Sequence, residues 1–116
     1  MRRVALGGVL CLFLAAPAWA LDLSKATFSW TAPVVDATHG APTTYTLKCG
    51  GATSGPYPLT SSVAAPTTSA PVKTVVTTAG TYFCVVTASN TGGESPSSNE
   101  VTFQGAWSPS PPQNLQ

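Results

Sequence analysis

The segment from Gly80 to Glu100 constrains the fold of this chain more than any other stretch. Apolar side chains recur at every second position through its first half, which is the period of a β-strand with one buried face. The residues on that face are Tyr82, Cys84, Val86 and Ala88. A polar turn follows over 91–97, and a second alternation, Val101 and Phe103, comes after it. The pattern predicts a β-hairpin at the centre of an antiparallel sheet.

The first 20 residues have the three parts of a secretory signal peptide. Arg2 and Arg3 give a basic start, an apolar stretch covers 4–16, and the small-residue pattern Ala18-Trp19-Ala20 precedes residue 21. We expect cleavage near Ala20 and a protein that is secreted, either into a periplasm or out of the cell. The apolar stretch is shorter than the roughly 20 residues that a spanning helix needs, so we expect no membrane insertion.

The charge of the remaining chain argues against nucleic acid as a partner. After residue 20 there is no arginine, and three lysines face four carboxylates. Binding to a phosphate backbone needs a surface of basic side chains that neutralises several phosphates. The composition therefore excludes nucleic-acid binding.

Short strands are expected along the whole chain after the signal peptide. No window has a sustained helical period, and eight of the eleven prolines lie between Pro33 and Pro109. Between the Gly, Pro and Ser clusters, apolar alternation predicts strands over 26–31, 44–49, 57–63 (an edge strand), 72–77, 81–89 and 99–103.

Two cysteines remain after signal removal, Cys49 and Cys84. In an oxidising compartment such a pair favours a disulfide. A redox-active pair is the alternative, although the close Cys-x-x-Cys spacing is absent. An antiparallel register that sets Cys49 opposite Cys84 also sets Leu47 opposite Val86 and Tyr45 opposite Ala88. One register thus satisfies the bridge and the burial pattern together.

Several of these segments resemble the fibronectin type III module of secreted bacterial proteins. Its later strands typically read Gly-Thr-x-Tyr, then alternating apolar residues, then Ala-x-Asn-x-x-Gly and Ser-Asn. This chain has Gly80-Thr81-Tyr82, Ala88-Ser89-Asn90, Gly93 and Ser98-Asn99-Glu100. Upstream, Phe28-Ser29-Trp30 is similar to the tryptophan strand of the family, and Tyr45-Thr46-Leu47 to its partner strand.

The resemblance implies an all-β, antiparallel, immunoglobulin-like β-sandwich over 21–104, followed by a Pro-rich flexible tail over 105–116. It implies that the Tyr82 hydroxyl bonds back to nearby backbone. The first strand of the family has too little chain between residue 21 and Trp30, so we expect it to be short or missing. The expected core residues are Phe28, Trp30, Tyr45, Leu47, Tyr82, Val86, Ala88, Val101 and Phe103.

The residue types argue against catalysis. His39 is the single histidine, and Asp36 is its nearest carboxylate in sequence. A hydrolytic triad also needs an ordered nucleophile, and two such ligands are too few for a protein zinc site. We expect no enzyme activity, no metal and no cofactor.

The expected function is binding, because loops on a rigid sandwich are the usual recognition surfaces. The candidate loop residues are Asp36, His39, Asn90, Glu94 and Trp107. We predict a secreted, non-catalytic binding or spacer module for an unknown protein or polysaccharide. Two alternatives remain. The chain could be a carbohydrate-binding accessory module, with Tyr57 or Trp107 in contact with sugar. It could also be a structural subunit that self-associates by strand addition through its C-terminal tail.

Overall fold

A computed structural model describes residues 12–14, 20–109 and 112 of the chain, and within them the protein is almost entirely β-structure. A single turn of 3₁₀-helix, Val72–Thr74, interrupts the strands of this described part. The strands are β1 Leu12–Leu14, β2 Ala20–Asp22, β3 Thr27–Trp30, β4 Thr44–Gly50, β5 Leu59–Ala64, β6 Ser69–Pro71, β7 Gly80–Asn90, β8 Gly93–Glu94 and β9 Val101–Ala106.

The strands of the described residues form two sheets. The larger sheet has the order β2-β9-β7-β4-β5, and β8 folds back on β7. Its neighbours are antiparallel except for β2 and β9, which run parallel. The smaller sheet has the order β1-β3-β6 and is antiparallel throughout. The expected edge strand, β5, lies at the edge of the larger sheet.

The register predicted from the cysteines is confirmed. β4 pairs with β7 so that Cys49 lies opposite Cys84, and the two sulfurs form a disulfide. The same register sets Leu47 opposite Val86. The bridge therefore joins neighbouring strands of one sheet, and both cysteines are fully buried.

Aromatic side chains from the two sheets meet in a shared core, which confirms an all-β sandwich. Phe28 of β3 packs edge-on against Phe103 of β9, with ring centroids 5.9 Å apart. Trp30 of β3 meets Tyr45 of β4 at 5.3 Å. Edge-to-face contacts at these distances add to the free energy gained from burial. The sequence-predicted core residues Leu47, Val86 and Ala88 are also buried.

Two predicted core residues are only partly buried. Tyr82 and Val101 pack against the core from its margin. Tyr82 lies near the start of β7, where its hydroxyl donates to the carbonyl of Thr78 at 2.9 Å, as predicted. The hydroxyl also lies 2.7 Å from the Thr78 side-chain oxygen. A polar tip with two partners keeps the outer end of this ring at the surface.

The strand predicted over 72–77 is wrong. The chain makes a 3₁₀ turn there, in which the N–H groups of Val75 and Val76 both bond to the carbonyl of Val72. All three valines are buried. Their spacing is that of a helical face rather than of a strand. The strand of this region that pairs with β3 is the short segment β6 just before the turn.

The boundary between the closing strand and the tail also differs from the prediction. β9 begins at Val101 and continues to Ala106, so residues 105 and 106 belong to the sheet and not to the tail. Gly105 pairs with Gly80, and Ala106 pairs with Asp22 of β2. Of the remaining tail, residues 110, 111 and 113–116 lie outside the described residues.

Two short strands precede β3 among the described residues. β2 pairs with β9 in the larger sheet, whereas β1 pairs with β3 in the smaller one. β1 and Ala20 both lie within the segment that the sequence assigns to the signal peptide, most of which is outside the described residues. One edge of β3 is therefore occupied by β1, with Leu12 buried in the core. The described residues contain no helix that is long and apolar enough to cross a membrane.

Candidate functional site

Two loops at one end of the sandwich line an open cavity of about 580 Å³. One loop covers residues 33–42, between β3 and β4, and the other covers residues 91–98, between β7 and β9. The cavity wall includes Pro33, Val34 and His39 from the first loop. Its other wall includes Asn90 and Glu94. A mixture of apolar surface and a few polar groups is typical of a ligand site.

Asn90 holds the two loops together. Its Oδ1 accepts a hydrogen bond from the N–H of Gly92 at 2.7 Å, which closes an Asx-type turn at the end of β7. Its Nδ2 donates to the carbonyl of Ala41 in the 33–42 loop at 3.1 Å. The Asn90 side chain thus fixes the turn and connects it to the 33–42 loop. Gly40 lies close by, since a Cβ on it would stand 3.1 Å from the Asn90 Nδ2.

Two serine side chains hold the 91–98 loop against β7. The Ser95 hydroxyl accepts the N–H of Ala88 at 3.0 Å, and its own N–H donates to the Ala88 carbonyl. Ser98 repeats the arrangement with the N–H and carbonyl of Val86. Each hydroxyl takes the place of a strand carbonyl. The loop is therefore tied to a buried central strand at two points, although it is not itself a regular strand there.

Glu94 is turned towards the sheet rather than free at a hairpin tip. Its Oε2 accepts from the Thr87 hydroxyl at 2.7 Å and lies 2.9 Å from the Lys48 Nζ. The hydrogen bond from Thr87, and then the one from Lys48, lower the pKa of this carboxyl below its ordinary value. The contact covers Thr87, which is buried on the outer face of β7. Glu94 therefore reaches the cavity with one oxygen already paired.

Asp36 and His39 meet in the exposed 33–42 loop. The Asp36 Oδ1 accepts the N–H of Thr38 at 2.9 Å and lies 2.8 Å from the His39 Nδ1. The Thr38 N–H, followed by the His39 hydrogen bond, lowers the pKa of Asp36 to about 2. These contacts fix the shape of the loop.

The same loop does not have the geometry of a hydrolytic triad. A triad uses opposite ring nitrogens of the histidine, one facing the carboxylate and the other facing the nucleophile. Here the Asp36 carboxylate and the Thr38 hydroxyl both lie against Nδ1, at 2.8 Å and 3.0 Å. The Thr38 hydroxyl also donates to the Asp36 Oδ1 at 3.1 Å, so the three side chains bond with one another within the loop.

Trp107 is placed apart from the other candidate loop residues. It follows β9, whose Gly105 pairs with the first residue of β7, whereas the cavity adjoins the last residue of β7. Its Nε1 donates to the Thr77 carbonyl at 3.2 Å, and the side chain stays 47% exposed. Trp107 therefore docks on the opposite end of the sandwich.

Tyr57 also lies away from the cavity. It belongs to the loop after β4, in which its hydroxyl and that of Thr53 donate to the Glu100 carboxylate. The hydrogen bond from Tyr57 is the main cause of a lowered pKa for Glu100. Glu100 thus fastens this loop to the start of β9, and the Tyr57 hydroxyl is engaged in that contact.

Two residues of interest, Val34 and Asn99, were not predicted as site residues from the sequence. Val34 lines the cavity and exposes more than half of its surface, and its place in a polar loop beside a second valine was the available signal. Asn99 was noticed only as part of the Ser98-Asn99-Glu100 motif. Its side chain forms two hydrogen bonds with the backbone of Leu12.

The part of the chain that the structure describes contains no cluster of side chains suited to a metal ion. No three His, Cys, Asp or Glu side chains there come close enough together to hold a metal ion. No protein-family model matches the sequence, and no curated protein matches it.

Proposed function

We propose that the protein is a secreted, non-catalytic binding module of the fibronectin type III kind, and that it recognises a protein segment in the cavity between the 33–42 and 91–98 loops. The cavity is the observation that carries the proposal. Its loops are held by side-chain bonds to a disulfide-bridged sheet, so the surface is largely preformed. A preformed site loses less conformational entropy on binding than a flexible one.

A protein segment suits this cavity better than a sugar. Prolines and Val34 supply apolar surface, while Asn90 and His39 supply hydrogen-bonding groups. Among the described residues that line it, no tryptophan, tyrosine or phenylalanine offers a ring for a sugar to stack on. Trp107, which does expose an aromatic ring, lies at the other end of the molecule.

Two further observations support the assignment to this kind of module and the absence of catalysis. The bond from the Tyr82 hydroxyl to the carbonyl four residues upstream is the contact of a tyrosine corner, a feature of related sandwiches. The Asp36 and Thr38 oxygens crowd the same nitrogen of His39, which does not suit acid–base catalysis.

The test is selection of ligands by the exported protein from a peptide display library and, in parallel, from a glycan array. Gly40→Phe places a large ring towards Asn90 in the cavity, and Gly51→Phe is its matched control. Gly51 follows the far end of β4, where an added Cβ meets nothing within 4 Å.

We expect selected peptides to bind the Gly40→Phe variant at least about tenfold more weakly, a loss of about 1.4 kcal/mol, and the Gly51→Phe variant normally. Peptides that bind both variants equally well would place recognition elsewhere. Selection of glycans alone would favour the carbohydrate-binding alternative.

A further inference from the structure

β1 closes an edge of the sandwich that no other described strand covers. It pairs antiparallel with β3, with Leu12 opposite Trp30. The other edge of β3 is already paired with β6. Leu12 is 1% exposed and belongs to the same core as Phe28 and Trp30. Without β1, one edge of β3 would present unpaired backbone groups, and the space filled by Leu12 would open to the surface.

Asn99 recognises the backbone of β1. Its Oδ1 accepts the N–H of Leu12 at 2.8 Å, and its Nδ2 donates to the carbonyl of Leu12 at 3.2 Å. A side-chain amide carries a donor and an acceptor, so it pairs with one residue of an extended chain as a neighbouring strand would. This contact depends on the backbone of the bound residue and not on its side chain. The site would therefore hold any extended segment that fits the space of Leu12.

We infer that the exported protein is a strand acceptor, in which the β3 edge and Asn99 bind an extended apolar segment of another polypeptide. The inference rests on the secretion in the proposed function, because cleavage near Ala20 removes β1. The chemistry of the partner is read from the strand that it replaces. The partner segment is a short β-strand with an aliphatic side chain at the position of Leu12. The residue at that position is not proline, so its backbone N–H can bond to Asn99. Addition of a strand to an exposed sheet edge is an established mode of peptide recognition.

The chain's own segments fit this edge less well. The tail after β9 has prolines at 109, 111 and 112, which lack a backbone N–H, and Leu115 is its single aliphatic residue. Two β3 edges from separate copies would also be a poor match. Their Phe28 and Trp30 side chains already fill the core of their own copy, so neither could fill the space of Leu12 in the other.

The experiment uses protein expressed from the complete sequence, exported and purified with its natural N-terminus, which mass spectrometry identifies. A synthetic peptide with the sequence of residues 10–16 is titrated into it, with Cys11 replaced by serine and lysines added at the C-terminus for solubility. The matched peptide carries Leu12→Asp. The protein variants are Asn99→Ala and, as control, Ser97→Ala, which alters an exposed neighbour.

We expect saturable binding of the first peptide, accompanied by a rise in Tm with peptide concentration. The Leu12→Asp peptide should bind at least about tenfold more weakly, because it loses a buried leucine. Asn99→Ala should weaken binding by about tenfold, and Ser97→Ala should leave it unchanged.

Three results would overturn the inference. Processed protein that does not bind the peptide, or that binds both peptides equally, would refute the acceptor while leaving secretion and the loop cavity intact. Binding that appears only after Leu115→Asp would make the tail the natural occupant of the edge. An exported protein that still begins at residue 1 would refute both the acceptor and signal cleavage.

Discussion

Substitution of Asn90 tests how the cavity is built. Asn90→Ala removes the bond to the N–H of Gly92 and the bond to the carbonyl of Ala41. An intramolecular hydrogen bond contributes about 0.5–1.5 kcal/mol net. Both bonds are accessible to water, which can replace the lost partners, so we expect the free energy of unfolding to fall by about 1–2 kcal/mol. In a domain of this size each kcal/mol corresponds to a fall of roughly 4–8 °C in Tm.

Asn90→Ser separates the two contributions. A serine hydroxyl can still accept the N–H of Gly92, as in turns that begin with serine, but it is too short to reach Ala41. We expect it to lose about half as much stability as Asn90→Ala. Urea unfolding followed by tryptophan fluorescence gives the free energies, and amide NMR spectra report whether the 33–42 loop has moved.

An Asn90→Ala protein with unshifted loop signals and a free energy of unfolding within about 0.5 kcal/mol of the wild type, the range of ordinary surface substitutions, would contradict this role of Asn90. Equal losses for the alanine and serine variants would show that the turn bond to Gly92 contributes nothing. Either result would mean that the loops keep their positions without Asn90.

Three further predictions concern the disulfide, the 33–42 loop and the end of β4. Replacing Cys49 and Cys84 together by alanine should lower the free energy of unfolding by about 4 kcal/mol, since the bridge spans 35 residues; a urea-unfolding loss below about 1 kcal/mol would contradict this. The carboxyl of Asp36 should titrate near pH 2 in a ¹³C NMR experiment. Because its folded pKa lies below its ordinary 3.8, its stabilisation of the loop is complete above about pH 4 and is lost as the pH falls towards 2; titration near 3.8 would contradict the hydrogen-bonded loop. Gly50→Ala should destabilise the protein by about 1–3 kcal/mol, because its Cβ would stand 2.2 Å from a backbone carbonyl oxygen, whereas Gly51→Ala should be nearly neutral; equal Tm values for these two variants would refute the close approach.

Much of the sandwich could be predicted because most of its strands have a recognisable local pattern of apolar residues. The alternation through β7 and the register of the two cysteines determined the centre of the larger sheet. The turn at Val72 was missed because a short run of valines suggests a strand by propensity, while their burial follows a helical spacing. β1 was not predicted because the apolar stretch of a signal peptide has the same composition as a buried strand.

The candidate site was less predictable than the fold. Turn-forming residues located the two loops, yet their shape depends on contacts between distant parts of the chain. Asn90 reaches a carbonyl 49 residues away, and Asn99 pairs with a residue 87 positions earlier. Glu94 lies in the predicted turn region and is exposed, but its contact with Lys48 has no signature in the sequence. Such pairings follow from the assembled sheets and leave no local pattern in the sequence.

We propose that the protein binds its partner through the loop cavity. The most direct test is an amide chemical-shift map of the ¹⁵N-labelled exported protein, titrated with the tightest-binding peptide from the display selection. We expect the largest shifts to cluster in the 33–42 loop, at Asn90 and in the 91–98 loop. Shifts that cluster instead around Trp107 and Thr77, at the opposite end of the sandwich, would contradict it.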